Sequence, residues 1–228
     1  MKISYNRCRI VIIFLFLLQP IYNFSQENLL AFPSAKGAGA YTIGGRGGIV
    51  VHVTNLNATG PGSFAEALSM TEPRTIVFDV SGIISINDLL YISAENSNFT
   101  IAGQTAPEGG ITIAGGRVYF SGVTNYIMRH IRFKGGFEAD WVVNSGDGAG
   151  SASFSAVGNI NECIIDHVSF GFGKTMPTWT KQGTDDEIVD NTTVHRCLFS
   201  ESKKGAIIGK NVDNTPYYLS GDFTFSKN

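Results

Sequence analysis

Charge is scarce in this 228-residue chain. Only 16% of its residues are Asp, Glu, Lys or Arg, and 17 basic against 19 acidic residues leave a formal net charge of -2. A chain so nearly neutral lacks the bulk positive charge that non-specific nucleic-acid binding requires, so no nucleic-acid partner is expected. With 43% hydrophobic residues it is not a disordered polyelectrolyte either. Cysteine is almost absent, with three in the whole chain, which argues against a disulfide-built scaffold. Proline is sparse at seven while glycine is abundant at 27, a balance that suits many short strands and tight turns better than long helices. No apolar run reaches the roughly 18 residues of a bilayer-spanning helix. One large all-β domain is the expectation.

The apolar run Ile10–Leu18 follows a basic start of Lys2, Arg7 and Arg9 and precedes small polar residues at Ser25 and Gln26. This is the pattern of a secretory signal peptide over residues 1–26, the alternative being a membrane anchor. Export predicts a secreted product, extracellular or periplasmic, with no membrane association after cleavage. Cys8 leaves with the signal. Cys163 and Cys197 lie seven and two residues before the phenylalanine of their segments. Opposite parity on a regular strand would turn them to opposite sides, so a disulfide is not expected and both read as small apolar fillers.

The most informative feature is a repeat. Tyr126–Phe133, Ile164–Phe170 and Thr193–Phe199 each alternate apolar and polar residues before a closing Phe, and Asp222–Phe225 ends the same way. The closing residues are spaced by 37, 29 and 26 positions, periods that signal a solenoid. Period-two alternation makes the repeats strands, and such short strands return to their start within about 30 residues as coils of a parallel β-helix. An antiparallel sandwich is the alternative, since turn signals every 8–12 residues suit it too. The coil reading predicts Phe133, Phe170, Phe199 and Phe225 in one interior column. Asn125 and Asn191, eight residues before their Phe, mark a turn where amides bond from coil to coil. Upstream, Ser63-Phe64-Ala65-Glu66 is a capping box that opens a short helix through Leu68 and caps the solenoid's first coil. Arg74–Val80, Phe99–Ala102 and Gly110–Ala114 continue the winding as strands.

Several ordered motifs then bring a family into view. Ala31-Phe32-Pro33, Gly44-Gly45-Arg46-Gly47-Gly48, Val51-His52-Val53-Thr54-Asn55-Leu56 and Gly60-Pro61-Gly62-Ser63 resemble the amino-terminal signature of secreted bacterial pectate lyases. Thr75–Gly82, Thr100–Pro107 and Ile164-Ile165-Asp166-His167 are similar to the motifs that follow, in the same order. The resemblance covers nearly all of residues 27–228 and implies a right-handed parallel β-helix acting on polygalacturonate, an acidic polysaccharide, by calcium-assisted β-elimination. In that chemistry calcium bridges protein and uronate carboxylates and acidifies the C5 proton, and an arginine removes it. A monomer is expected.

Transferred by motif, the resemblance implies that Lys204, within Lys203–Gly209, binds the sugar carboxylate, the alternative being a solvated lysine pair in a turn. It implies calcium carboxylates at Asp186 and Asp190, four residues apart, although a charged turn facing water is the more common meaning of such a run. Where the family has a further aspartate, this chain has Ser151-Ala152-Ser153, and Asp147 substitutes only if the turn is rearranged. Asp166 and His167 match a motif with a structural, coil-stacking role. The catalytic arginine of the family falls beyond the stretch that resembles Gly221–Asn228, and Arg129, Arg132 and Arg196 do not match its place. The domain thus reads as incomplete at its C-terminus, the front part of a longer lyase or a degenerate copy. A non-catalytic carbohydrate-binding or adhesin β-helix is the competing function.

Overall fold

Each repeat segment folds as two strands rather than one, because a residue near its middle adopts a left-handed backbone: His130 at φ 53°, His167 at φ 54° and Arg196 at φ 54°. The computed structural model describes residues 29–136, 152–173, 177–180, 189–202, 206–208 and 223–228. Residues 1–26, expected from the sequence to be a signal peptide, lie outside them, as do Asp147, Asp186 and Lys204.

Strands before these bends stack into one sheet. β1 (Ile49–Val53), β2 (Arg74–Phe78), β4 (Phe99–Ala102), β6 (Tyr126–Arg129), β9 (Cys163–Asp166), β12 (Thr192–His195) and β15 (Phe223–Ser226) follow in that spatial order. A second sheet begins with two long strands, β3 (Gly82–Ser93) and β5 (Ile111–Ser121), paired along most of their length. The first half of β5 pairs with β7 (Ile131–Gly135), then come β10 (Ser169–Gly171) and β13 (Leu198–Ser200). Its second half pairs with β8 (Phe154–Val157), followed by β11 (Thr178–Thr180) and β14 (Ile207–Ile208). Each coil therefore has three arms. Every ladder among the described residues is parallel, as in a parallel β-helix, which removes the sandwich alternative.

The core is a set of in-register columns. In the first arm Ile76, Ile101, Met128, Ile165 and Val194 succeed one another and are fully buried. In the second arm Phe170 stacks between Phe133 at 5.6 Å and Phe199 at 5.4 Å, so three of the four predicted rings share a column. The fourth does not. Phe225 lies opposite Val194 in the first arm, and although its ring is 5.5 Å from that of Phe199 it is 45% exposed. The spacing of 26 was short because Asp222–Phe225 corresponds to the strand before the bend, not the one after it.

Helix α1 (Phe64–Ser69) forms as its capping residues dictate, with one change of partner. The Ser63 hydroxyl accepts from the Glu66 amide at 3.2 Å, but the Glu66 carboxylate accepts from the Gly62 amide at 2.6 Å instead of that of Ser63. The Ser63 amide is already donated to the Gly60 carbonyl. Buried Arg74 holds the helix onto the next coil: its guanidinium donates to the carbonyls of Ala67 and Leu68 at the helix end and to those of Glu72, Asn96 and Ser97. Burial pulls its pKa down to about 10, which leaves it a cation at neutral pH.

The asparagine turn is present in altered form. Asn98, Asn125 and Asn191 are left-handed, a conformation asparagine tolerates, and the Asn125 amide donates to Asn98 Oδ1 at 2.8 Å. Glu162 occupies the intervening position, so Asn191 donates instead to Asn161 at 3.2 Å. Cys163 and Cys197 are both buried free thiols. They sit in different parts of the coil, one on β9 and the other between β12 and β13, so the single-strand parity expected for them does not apply.

An arm over residues 29–48 runs along the outer face of the first sheet. The Ala38 amide donates to Thr224 Oγ1, that of Gly39 to Thr193 Oγ1, those of Ile43 and Gly44 to Asn125 Oδ1, and that of Gly45 to Thr100 Oγ1. Between these polar ties Phe32, Ala35 and Ala40 pack on Ile127 and Ile164. A side chain at Gly39 would collide with the Cys163 carbonyl, and one at Gly45 with that of Arg74, so the close approach requires glycine there.

Candidate functional site

Asp166 ends β9, and strand alternation turns it outward, yet its side chain is fully buried. Cations cover it. Arg129, in register on β6, donates Nε to Oδ2 at 3.1 Å, and Arg196 donates Nε to Oδ1 at 2.9 Å. His167 Nδ1 is 2.9 Å from Oδ2. His195, in register on β12, brings Nδ1 to 3.2 Å of Oδ1 at an angle that makes no hydrogen bond. The arm completes the cover, with Phe32 beneath the Arg129 guanidinium at 3.9 Å and Ser34 accepting from Arg196 at 3.1 Å.

The electrostatics follow from this geometry. Burial pushes the Asp166 carboxyl up, but hydrogen bonds from His167 and Arg196 and their charges outweigh it and hold the group below its ordinary value. Burial, then the Arg196 charge, lowers the pKa of His195 against the opposing pull of Asp166. Burial lowers that of His130 too, with the charges of Arg129 and His167 adding to it. Asp166 is thus a buried, ionised anchor, unsuited to exchange protons with a substrate. Beside it lies a groove of about 310 Å³ lined by Gln104, Pro107, His130, Arg132, His167 and Ser169.

Among the described residues one cluster brings metal-donor atoms together, His130, Asp166 and His167, within 4.8 Å of one another. It does not fit calcium, which takes six to eight oxygen ligands. Two of the three groups are imidazoles stacked face to face at 4.8 Å, and the carboxylate already faces two guanidinium groups.

The sequence-derived site is only partly within view. Asp190 falls in the asparagine turn: its amide donates to the Ile160 carbonyl and its Oδ1 accepts from the Asn191 amide at 2.7 Å. Its proposed partner Asp186 lies outside the described residues. So do Asp147, in the connection from β7 to β8, and Lys204, in the connection from β13 to β14. Within the run Ser151-Ala152-Ser153, where the family has an aspartate, Ser153 is buried and its carbonyl accepts from the Val118 amide. Asp166 and His167 do form the hydrogen-bonded pair expected of them. Sequence reasoning missed three further groups around it, the guanidiniums of Arg129 and Arg196 and the imidazole of His195. Alignment of the repeats on the left-handed residue would have revealed two of these, since Arg129, Asp166 and His195 each immediately precede it.

No family model matches the chain. By sequence it is similar to three fungal proteins named probable pectate lyase C. That of Aspergillus terreus is 39% identical over 184 residues, covering 80% of this chain and 41% of the relative. That of Emericella nidulans is 42% identical over 164 residues, 72% of this chain and 36% of the relative. That of Aspergillus fumigatus is 40% identical over 194 residues, 83% and 42%. The chain spans about two-fifths of the length of these curated relatives. They are fungal, so they give no support to the narrower bacterial resemblance. By structure it is similar to jun a 1, the major allergen from cedar pollen, with TM-score 0.52, 19% identity, and coverage of 75% of this chain and 53% of that one. This likeness concerns the fold alone. Over most of its own length the chain is thus similar in sequence to proteins named probable pectate lyase, and in fold to jun a 1.

Proposed function

We propose that this protein is a secreted pectate lyase-like protein directed at polygalacturonate and built for calcium-assisted β-elimination, with no residue of this chain matching the catalytic arginine of the family. The observation that carries the proposal is identity of about 40% to proteins named probable pectate lyase over 72–83% of the chain. The reaction passes the uronate C5 proton to a base, in the family an arginine that no residue of this chain matches, forms a C4–C5 double bond and expels the glycosidic oxygen at C4, which takes up a proton. Lys204 is the proposed partner of the sugar carboxylate, as a point charge on the connection leading into β14. Calcium is the proposed cofactor through Asp186 and Asp190, with Asp147 as a third carboxylate; when bound it supplies charge against the anion that develops on the sugar. The leader over residues 1–26 is the proposed export signal.

The test follows absorbance of unsaturated uronates released from polygalacturonate, with calcium and after chelation. Because the arginine of the family has no match in this chain, calcium-dependent binding of oligogalacturonate, weakened at least tenfold by Lys204→Ala, is expected with almost no product. Binding of oligogalacturonate that is independent of calcium, with no product, would instead favour a carbohydrate-binding β-helix. The run Ser151-Ala152-Ser153, where the family resemblance expects an aspartate, is the observation on that side. Neither binding nor turnover would refute both.

A further inference from the structure

The groove beside the Asp166 cluster is lined by polar side chains that the fold does not spend on itself. Arg132 donates Nε to Thr112 Oγ1 at 2.8 Å and Nη2 to the Gly109 carbonyl, both neutral acceptors. Among the described residues no carboxylate pairs with its charge, and its Nη1 makes no hydrogen bond. Neither ring nitrogen of half-buried His130 has a hydrogen-bond partner among these residues, and His167 commits Nδ1 to Asp166 and leaves Nε2 uncommitted. The Gln104 carboxamide and the Ser169 hydroxyl are likewise unpaired among the described residues. Polar groups that line one concave space without pairing to one another are what a small-ligand site presents.

Register explains why they converge. Arg132 on β7 and Ser169 on β10 are paired neighbours, and the two imidazoles stack at 4.8 Å because His130 and His167 occupy the same left-handed bend on adjacent coils. The lining carries a guanidinium and two imidazoles but no carboxylate. Glu108, in the turn that also holds Pro107, is not part of it, and Asp166 behind it is covered by two guanidinium groups. At the His130 ring the charge of Arg129 counts for more than that of Asp166. The local field therefore favours an anion over a metal cation. We propose that Gln104, His130, Arg132, His167 and Ser169 form an oxyanion site that takes one carboxylate or phosphate group. It lies at the bends leading into β7 and β10, whereas Lys204 belongs to the connection that follows β13. The guanidinium supplies the charge, and the imidazoles, carboxamide and hydroxyl supply hydrogen bonds. A volume of about 310 Å³ is at the small end of ligand pockets and suits a single uronic acid or phosphate monoester. The site does not depend on the pectate lyase-like reading.

Calorimetry on the full chain with galacturonate, galactose and inorganic phosphate supplies the test, with thermal unfolding recorded for every variant. At least one of the two anions is expected to bind and galactose is not; the preferred anion tells whether the natural group is a carboxylate or a phosphate. Arg132→Gln should weaken anion binding at least tenfold, and Arg132→Lys less, because an ammonium keeps the charge without the planar fork. His130→Asn should weaken it about fivefold, with a residue that tolerates the left-handed bend. Ring signals of His130 and His167 should move on titration in nuclear magnetic resonance spectra, and Lys204→Ala should change nothing. If Arg132→Gln fails to fold, the Gln104→Ala, Ser169→Ala double variant carries the test, since neither side chain ties the coils together; about tenfold weaker binding is expected of it. Absence of binding by both anions, equal binding of galactose, or anion binding indifferent to these groove substitutions overturns the site. Galacturonate binding that is lost in Lys204→Ala but kept in Arg132→Gln also overturns it, while leaving the Lys204 site standing.

Discussion

Replacing Asp166 with Asn tests whether the charge at the centre of the cation cluster holds adjacent coils together. The side chain keeps its size and one acceptor oxygen, but the other oxygen becomes an amide that points hydrogens at an arginine or histidine donor. Arg129 and Arg196 are left facing each other without the intervening negative charge. Breaking a buried ion pair from one side typically costs about 3–5 kcal/mol. The lower end applies here, because Asp166 is fully buried whereas the Arg129 and Arg196 side chains are 19% and 30% exposed and recover some hydration. About 3 kcal/mol corresponds to a fall in Tm of roughly 6–12 °C for a chain of this size. The folded Asp166 pKa lies below its ordinary value of 3.8, so its contribution is fully present above that value and is lost as pH falls through the folded pKa. Calorimetric scans of both proteins from pH 7 downward should therefore show a constant gap that closes in the acid range. A gap under 1 °C at pH 7, or one that persists unchanged at pH 2, would refute the view that ionised Asp166 staples these coils.

Two further outcomes are expected. Arg74→Met removes the donors to five carbonyls, and urea unfolding should show a loss of about 4 kcal/mol, with Arg74→Lys intermediate because an ammonium cannot span the same acceptors; equal stability of the Lys variant would show that charge, not the planar fork, matters. Burial pushes the Cys163 and Cys197 thiols up to about 12, so neither should react with a thiol-specific disulfide reagent at pH 8 until denaturant is added; rapid labelling of the native protein would contradict their placement in the core.

The coil architecture was legible because its strands alternate with period two and close on aromatic residues, and Phe133, Phe170 and Phe199 repay that signal by stacking. The bend within each repeat was hidden by residue type. His130, His167 and Arg196 are left-handed without being Gly or Asn, so nothing local announces a turn, and the frame of Phe225 slipped with it. The Asp166 cluster was half visible for the same reason: its neighbour His167 is adjacent in sequence, whereas Arg129 and His195 come from other coils and become partners only in the right register. Side chains such as Tyr91 and Tyr119 look like ordinary strand residues until register sets them side by side on a face turned to solvent.

The arm over residues 29–48 has a consequence for how the molecule comes into being. Its Ala38 amide is tied to a threonine 186 positions later, and Gly39 to one 154 positions later. A nascent chain therefore exposes this segment early and must wait for the later coils before the segment can settle, so winding from the amino end cannot complete the structure. Coil stacking can spread from neighbour to neighbour, but the arm converts that open-ended process into a closure that depends on both ends at once. Loss of a few threonine hydroxyls along its path would leave each coil intact and yet loosen the seam that makes distant coils unfold together.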